Sequence, residues 1–292
     1  MNFAEKLKNL RKQFKFSQEQ LAEKLNVSRQ AITKWETDGG LPDIANLMSI
    51  AALFSISMDD LLTGERLANT VTDYAYKSVT EYDIDQLSRF DIKTPGAMEI
   101  NITTSENEKL RVCLASNVLK SLAQDYKVKL DEHRRRIDVD IHRIGKSSEA
   151  EGKAALSIEI SLPNKFTKEV ELSAVVNALR LTGFHFPFEF DGKTSNVYLE
   201  SARGKIALNC NADMVIHADE LPDSIEINQI NATSELHIPI DSNYFTKIKG
   251  KSNKIRYMVN GKLTEAPAEI EAENRIEIVG MNVELLIVQG RQ

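Results

Sequence analysis

Apolar residues recur at helical spacing near the start of the chain. Phe3, Leu7, Leu10 and Phe14 form one stripe, and Ile44, Leu47, Ile50, Ala51 and Phe54 form another, which predicts two amphipathic helices. Between them residues 17–36 read Ser-Gln-Glu-Gln-Leu-Ala-Glu-Lys-Leu-Asn-Val-Ser-Arg-Gln-Ala-Ile-Thr-Lys-Trp-Glu, which predicts two short helices joined by a tight turn. Ser17 caps the first, and Gln20, three residues on, completes a capping box ahead of Leu21, Ala22 and Leu25. Asn26 suits the turn, since Asn tolerates a left-handed backbone where Gly is absent. Ser28 is the next N-cap, and the helix it starts turns Ala31, Ile32 and Trp35 inward and Arg29, Gln30, Thr33 and Lys34 outward. Ser57 with Asp60 predicts one more capped turn, with Leu61 and Leu62 closing the core and Gly64 as the stop. An all-helical domain over residues 1–65 is expected.

Residues 66–87 have weak periodicity and read as a linker. Leu67, Val71 and Tyr74 form a stripe suited either to self-association or to packing against a neighbouring domain. From residue 88 the period changes to two. Phe90 to Ile92, Met98 to Ile102, Leu110 to Leu114, Val128 to Leu130, Ile137 to Ile141 and Leu156 to Ile160 alternate as half-buried strands do, so residues 88–292 are expected to be β-rich, antiparallel or mixed. One short helix is expected between Asn117 and Tyr126. Beyond Leu162-Pro163-Asn164 short strands recur at intervals of roughly 20 residues, punctuated by Gly183, Gly192, Gly204, Asn211 and Asn231. That spacing suits a β-solenoid or stacked meanders, with an ordinary β-sandwich as the alternative.

Taken together the helical segments resemble the Cro-repressor, or xenobiotic-response-element, family of five-helix, lambda-repressor-like DNA-binding domains. The likeness covers residues 3–64 and includes Leu41-Pro42-Asp43 and the ending at 57–62. In that family the Gln opening the second helix binds a phosphate and early residues of the third read base edges. The resemblance carries those roles to Gln18 and to Arg29, Gln30 and Lys34. With Ser28 and Thr33 these residues are the candidate DNA-binding set. The chemistry agrees, because Arg can grip guanine O6 and N7 bidentately and Gln can do the same to adenine N6 and N7, each for about 1–3 kcal/mol of discrimination. Gln18 instead sets register on the backbone. The resemblance also gives Arg11 and Glu36 a bridging role between the first and third helices. Residues 37–41 lack the basic side chains many relatives carry there, so a shallow salt dependence is expected. Residues 88–260 resemble an adhesin-like β domain found in many bacterial proteins, on the succession of strands, the Ile-Ser-Leu-Pro join and the repeated turns.

Charge narrows this picture. The 292-residue chain carries a net charge of −6, with a pI near 5.6, whereas Lys6, Lys8, Arg11, Lys12, Lys15 and Lys24 gather at its N-terminal end. Double-stranded DNA is therefore expected to meet that end alone. No apolar stretch approaches the ~20 residues of a membrane span and the N-terminus has no signal-peptide core, so a cytoplasmic protein without a membrane partner is expected. Cys113 and Cys210 lie far apart and read as buried free thiols. No cleavage pair for a self-cleaving Ser/Lys repressor stands in the linker. The five histidines, at 133, 142, 185, 217 and 237, sit singly among strands, so no metal, cofactor or catalytic residue is expected. The run His133-Arg134-Arg135-Arg136 reads as a basic hairpin tip, with a second DNA contact as the alternative.

The expected function is that of a transcriptional regulator acting as a repressor: a dimer reading successive major grooves, with the β domain serving self-association or the sensing of a small-molecule or protein effector. The competing expectations are an antitoxin-like partner-binding protein whose helix-turn-helix serves autoregulation, and an enzyme whose site is assembled from dispersed strand residues.

Overall fold

The computed structural model describes residues 3–13, 16–25, 27–37, 39–54, 74–266 and 272–290. The chain divides into two units, Met1–Thr72 and Asp73–Gln292. In the first, helices α1 (Phe3–Gln13), α2 (Gln18–Leu25), α3 (Arg29–Glu36) and α4 (Ile44–Phe54) share one apolar core. Leu7, Leu21, Ile32 and Ile50 are fully enclosed in it.

The caps at Ser17 and Ser28 are those the sequence predicts. The Gln20 N–H donates to Ser17 Oγ at 3.1 Å while the Ser17 N–H donates to Gln20 Oε1 at 2.7 Å, so two donors that the helix cannot satisfy are paired reciprocally. Ser28 Oγ accepts from the Ala31 N–H at 3.1 Å. The Asp43 carboxylate caps α4 by accepting from the Asn46 N–H at 2.8 Å. Of the five helices expected, four stand in this unit among the described residues. The turn expected from Ser57, Asp60, Leu61, Leu62 and Gly64 lies outside them, as do Phe14, Asn26, Leu67 and Val71.

The second unit is β-rich. Its strands are β1 (Tyr76–Asp83), β2 (Ser88–Lys93), β3 (Ala97–Ser105), β4 (Lys109–Ser116), β5 (Tyr126–His133), β6 (Arg136–Arg143), β7 (Ser157–Pro163), β8 (Thr167–Thr182) and β9 (Phe188–Lys193). They continue with β10 (Asn196–Glu200), β11 (Lys205–Asn209), β12 (Val215–Ala218), β13 (Ser224–Pro239), β14 (Tyr244–Lys251), β15 (Lys254–Val259), β16 (Lys262–Thr264) and β17 (Asn274–Gly290). Two short helices, α5 (Leu122–Asp125) and α6 (Glu149–Ala155), interrupt them. Among the described residues all 17 strands belong to one mixed sheet. β1 with β4, β4 with β7, β5 with β6 and β15 with β16 pair antiparallel.

The other ladders are parallel. The first half of β8 pairs with β2 and β9, and the second half with β3 and β10. β13 and β17 likewise each serve two ladders. Pairing therefore runs from β8 through β10, β12, β13, β11 and β9 back to β8, and the sheet is a closed barrel.

The registers explain the spacing. Val170, Phe188, Ile206, Ile225 and Ile276 stand side by side on successive strands, each at most 2% exposed. Fully burying such side chains stabilises by about 1.5–3 kcal/mol apiece. A one-residue slip would turn the whole row to solvent, so alternation fixes the pairing.

Several expectations are corrected. Val170 to Leu172 and Leu179 to Leu181 belong to one 16-residue strand, β8, and Ile225 to Ile227 with Leu236 to Ile238 belong to another, β13. Of the punctuating residues only Asn231, at φ 53°, falls inside either long strand, between the two ladders of β13. In β17, near the end of its ladder with β14, Gly280 has φ +127°, and a Cβ there would lie 1.8 Å from the Gln229 carbonyl oxygen, so only glycine fits. β1 lies within the stretch expected to be linker, and pairs from Tyr76↔Ser116 to Asp83↔Lys109. The helix expected over 117–126 shrinks to α5, and α6 is an addition, started by a full capping box of Ser148 and Glu151. The basic tetrad is a hairpin tip, with Arg134 at φ 57° and Arg136 bound to Asp91 at 2.6 Å and to Asp138 at 2.8 Å.

Candidate nucleic-acid interface

α3 has eight residues and two chemically distinct faces. Ile32 and Trp35 are buried, whereas Arg29, Gln30, Thr33 and Lys34 are exposed. Helical geometry places 29, 30, 33 and 34 on one face. Ser28, at the N-cap, is exposed too. The candidate set thus forms one polar surface on a helix anchored by its apolar side.

A buried ion pair braces that helix. Arg11 Nε donates to Glu36 Oε1 at 2.6 Å and Arg11 Nη2 to Glu36 Oε2 at 2.9 Å. Arg11 Nη1 also donates to the Phe16 carbonyl at 3.0 Å. The fork geometry is the strong form of this interaction, and it links α1 to the last residue of α3, the role that the resemblance implies. Burial raises the Glu36 carboxyl, but hydrogen bonds from Arg11 and Gln18 and the Arg11 charge outweigh it and hold the group below the ordinary carboxylate value.

Gln18 is tied into the same network. Its Nε2 donates to Glu36 Oε2 at 2.9 Å, and its Oε1 accepts from Thr33 Oγ1 at 3.3 Å. One amide proton of the Gln18 side chain is committed to Glu36.

Two further features were not read from the sequence. Arg29 Nη1 meets Glu19 Oε1 at 2.7 Å, both side chains being well exposed. An acidic residue at the second position of α2 and a basic residue at the first of α3 is the signal that could have found it. The Lys34 stem lies over the Gly39-Gly40 pair, where a Cβ on Gly39 would come within 3.0 Å of Lys34 Cγ. The glycines leave room for that side chain to lie across the loop.

The β unit holds a different arrangement. Tyr198, His217 and His237 stand in register on β10, β12 and β13. The Tyr198 and His217 rings stack at 5.4 Å and the two imidazoles at 4.8 Å, with the Arg180 guanidinium 4.3 Å above Tyr198. Two of the five histidines expected to sit singly, His217 and His237, are therefore brought together, because parallel pairing sets residues 19 and 20 positions apart side by side. Burial, His237 and Arg180 depress the His217 imidazole to about 4. Both cysteines are buried and free, and burial pushes the Cys113 thiol up. Among the described residues no three His, Cys, Asp or Glu converge on a possible metal position. No helix among them is long and apolar enough to cross a membrane.

A family model described as helix-turn-helix matches residues 7–61. The HTH-type transcriptional activator BcrR of Enterococcus faecalis is 51% identical over 67 residues, which are 23% of this chain and 33% of that protein. The chain thus spans about a third of that relative. The HTH-type transcriptional regulator YqaE of Bacillus subtilis is 37% identical over 79 residues, 27% of this chain and 68% of that protein. Among solved structures, one described as a candidate cell adhesion protein from Clostridium sporogenes aligns with 74% of this chain and 99% of its own at 12% identity, with a TM-score of 0.40.

Proposed function

Because the chain belongs, through its N-terminal domain, to the helix-turn-helix family of transcriptional regulators, we propose that it binds a specific duplex sequence with α3 and represses transcription there. Arg29 and Gln30 read base edges in the major groove, Thr33 and Lys34 extend the contact, and Ser28 presents the start of the helix to the backbone. Gln18 holds one phosphate and sets register. The observation that carries this reading is the division of α3 into a buried apolar side and an exposed side bearing Arg29, Gln30, Thr33 and Lys34.

Two heads held by self-association reach successive major grooves about 34 Å apart and cover a pseudopalindromic site, so that repression is by occlusion. One head buries little surface, so useful affinity comes from the second copy. The β domain supplies self-association or senses an effector. The protein works in the cytoplasm, where its DNA is.

The test is a pair of variants titrated against a preferred and a random duplex. Arg29→Ala relaxes preference at one base pair, whereas Gln18→Ala weakens all duplexes nearly alike. Equal losses on both duplexes for both variants would contradict this division of roles.

A further inference from the structure

The segment 242–264 contains Lys247, Lys249, Lys251, Lys254, Arg256 and Lys262 and no Asp or Glu. It forms β14, β15 and β16, of which β14 and β15 pair with β17 and β16 with β15. All six cations are exposed. β14 pairs with β17 and, among the described residues, with no other strand. Lys247, Lys249 and Lys251 alternate along it, so they project from one face at intervals of roughly 6.8 Å.

Two of the six charges are matched locally. Lys249 and Arg275 flank the buried Glu277 carboxylate, and Arg256 reaches Glu284 at 2.5 Å. Lys247, Lys251, Lys254 and Lys262 have no ion pair among the described residues. The nearest acid beyond Glu277 in the Lys247 row is Glu226, one strand further on.

The choice of occupant follows from charge. A second copy pairing antiparallel along β14 would set lysine against lysine, and like charges directly opposite one another destabilise a ladder. A polyanion is complementary. The helical unit needs such help, because residues 1–65 carry eight Lys and Arg against nine Asp and Glu, and its loop 37–41 has no basic residue. Lysine is a point charge that takes a phosphate without reading a base.

We propose that the outer face of β14 and β15 is a second, sequence-independent DNA-binding surface, on which Lys247, Lys251 and Lys254 hold backbone phosphates of a duplex. It draws on the reading of α3 only for the choice of polymer. Tethering to a sequence-reading head raises the local concentration of duplex at this surface, and the surface returns the benefit as affinity without specificity.

The test uses the full chain and its Lys247→Gln, Lys251→Gln, Lys254→Gln variant, with folding checked by circular dichroism. Fluorescence anisotropy with a labelled random-sequence duplex is recorded over a range of salt. The variant should bind at least tenfold more weakly near 0.1 M salt, and its salt slope should fall by about 2.7, since each of the three phosphates contributes about 0.9. An unchanged affinity and slope overturns the proposal. So does self-association of the variant with unchanged duplex binding, which would make the lysines guards of the strand edge. Lysine-dependent sedimentation with phosphatidylserine vesicles, again with an unchanged duplex slope, assigns the surface to lipid and overturns it too. In the same titrations Arg29→Ala with Gln30→Ala removes sequence preference and leaves the random-duplex slope high. If that preference never existed, the lysine result still stands or falls by itself.

Discussion

Glu36→Ala should unfold the head at much lower denaturant than the parent. The Arg11 side chain is 13% exposed and that of Glu36 2%, so removing the carboxylate strands a guanidinium away from water. Breaking a pair that is enclosed to this degree costs about 3 kcal/mol. That is a large share of the total for a unit of this size, on the order of 3–10 kcal/mol.

With a urea m-value of about 1 kcal/mol/M for so small a unit, the midpoint should move down by roughly 2–3 M. The assay is built into the chain. Trp35 is its one tryptophan, lies buried beside Glu36, and reports unfolding of the head separately from the β unit. Replacing both partners, Arg11→Met with Glu36→Leu, should recover most of the loss, because the desolvation cost disappears with the pair.

The pH dependence follows the same pair. The folded Glu36 carboxyl lies below its ordinary value of 4.5, so its contribution is complete above that value and is lost as pH falls through the folded one. A midpoint shift under about 0.5 M for Glu36→Ala, or a double variant as unstable as the two single losses added, would refute the bracing role.

Three other outcomes follow. His217 titrates near 4 when folded against 6.5 ordinarily. The folded β unit therefore binds fewer protons than the unfolded chain between those values and loses at most about 3 kcal/mol as pH drops through them. His217→Phe should flatten that dependence in thermal melts followed by circular dichroism, and an unaltered slope would exclude His217 as its source. Gly280→Ala should destabilise the β unit by more than about 2 kcal/mol, since the new Cβ collides with the Gln229 carbonyl at 1.8 Å, whereas Gly290→Ala, with nothing within 4 Å, should be neutral in the same melts. Glu19→Gln frees Arg29 from its 2.7 Å ion pair and removes a negative charge facing phosphates, so affinity for any duplex should rise several-fold at low salt, and unchanged affinity would show that Glu19 plays no part in binding.

The head was legible in the sequence because its signals are local. Ser17 with Gln20, Ser28 with Ala31, and the buried positions Leu21, Ile32 and Trp35 all lie within one or two helical turns of each other. The ties across it were less so. That Gln18 binds Glu36 and Thr33, and Arg29 binds Glu19, depends on how α2 and α3 cross. In the β unit, strand positions were legible from alternation and partners were not, because parallel pairing joins residues far apart in the chain. Tyr198, His217 and His237 are an instance, since only their 19- and 20-residue offsets, matched to the registers, bring them together. The strand at 76–83 escaped notice because its half-buried face is Tyr76, Ser78 and Thr80, too polar to register as a hydrophobic alternation.

The most direct test of the account is selection of bound duplexes from a random pool, performed in parallel with the parent chain and with Arg29→Ala, Gln30→Ala. The parent should enrich a defined, pseudopalindromic motif, and the variant should lose discrimination at the base pairs those side chains meet while still retaining duplex. An identical motif from both proteins, or no enrichment by the parent, would contradict the claim that the exposed face of α3 reads DNA.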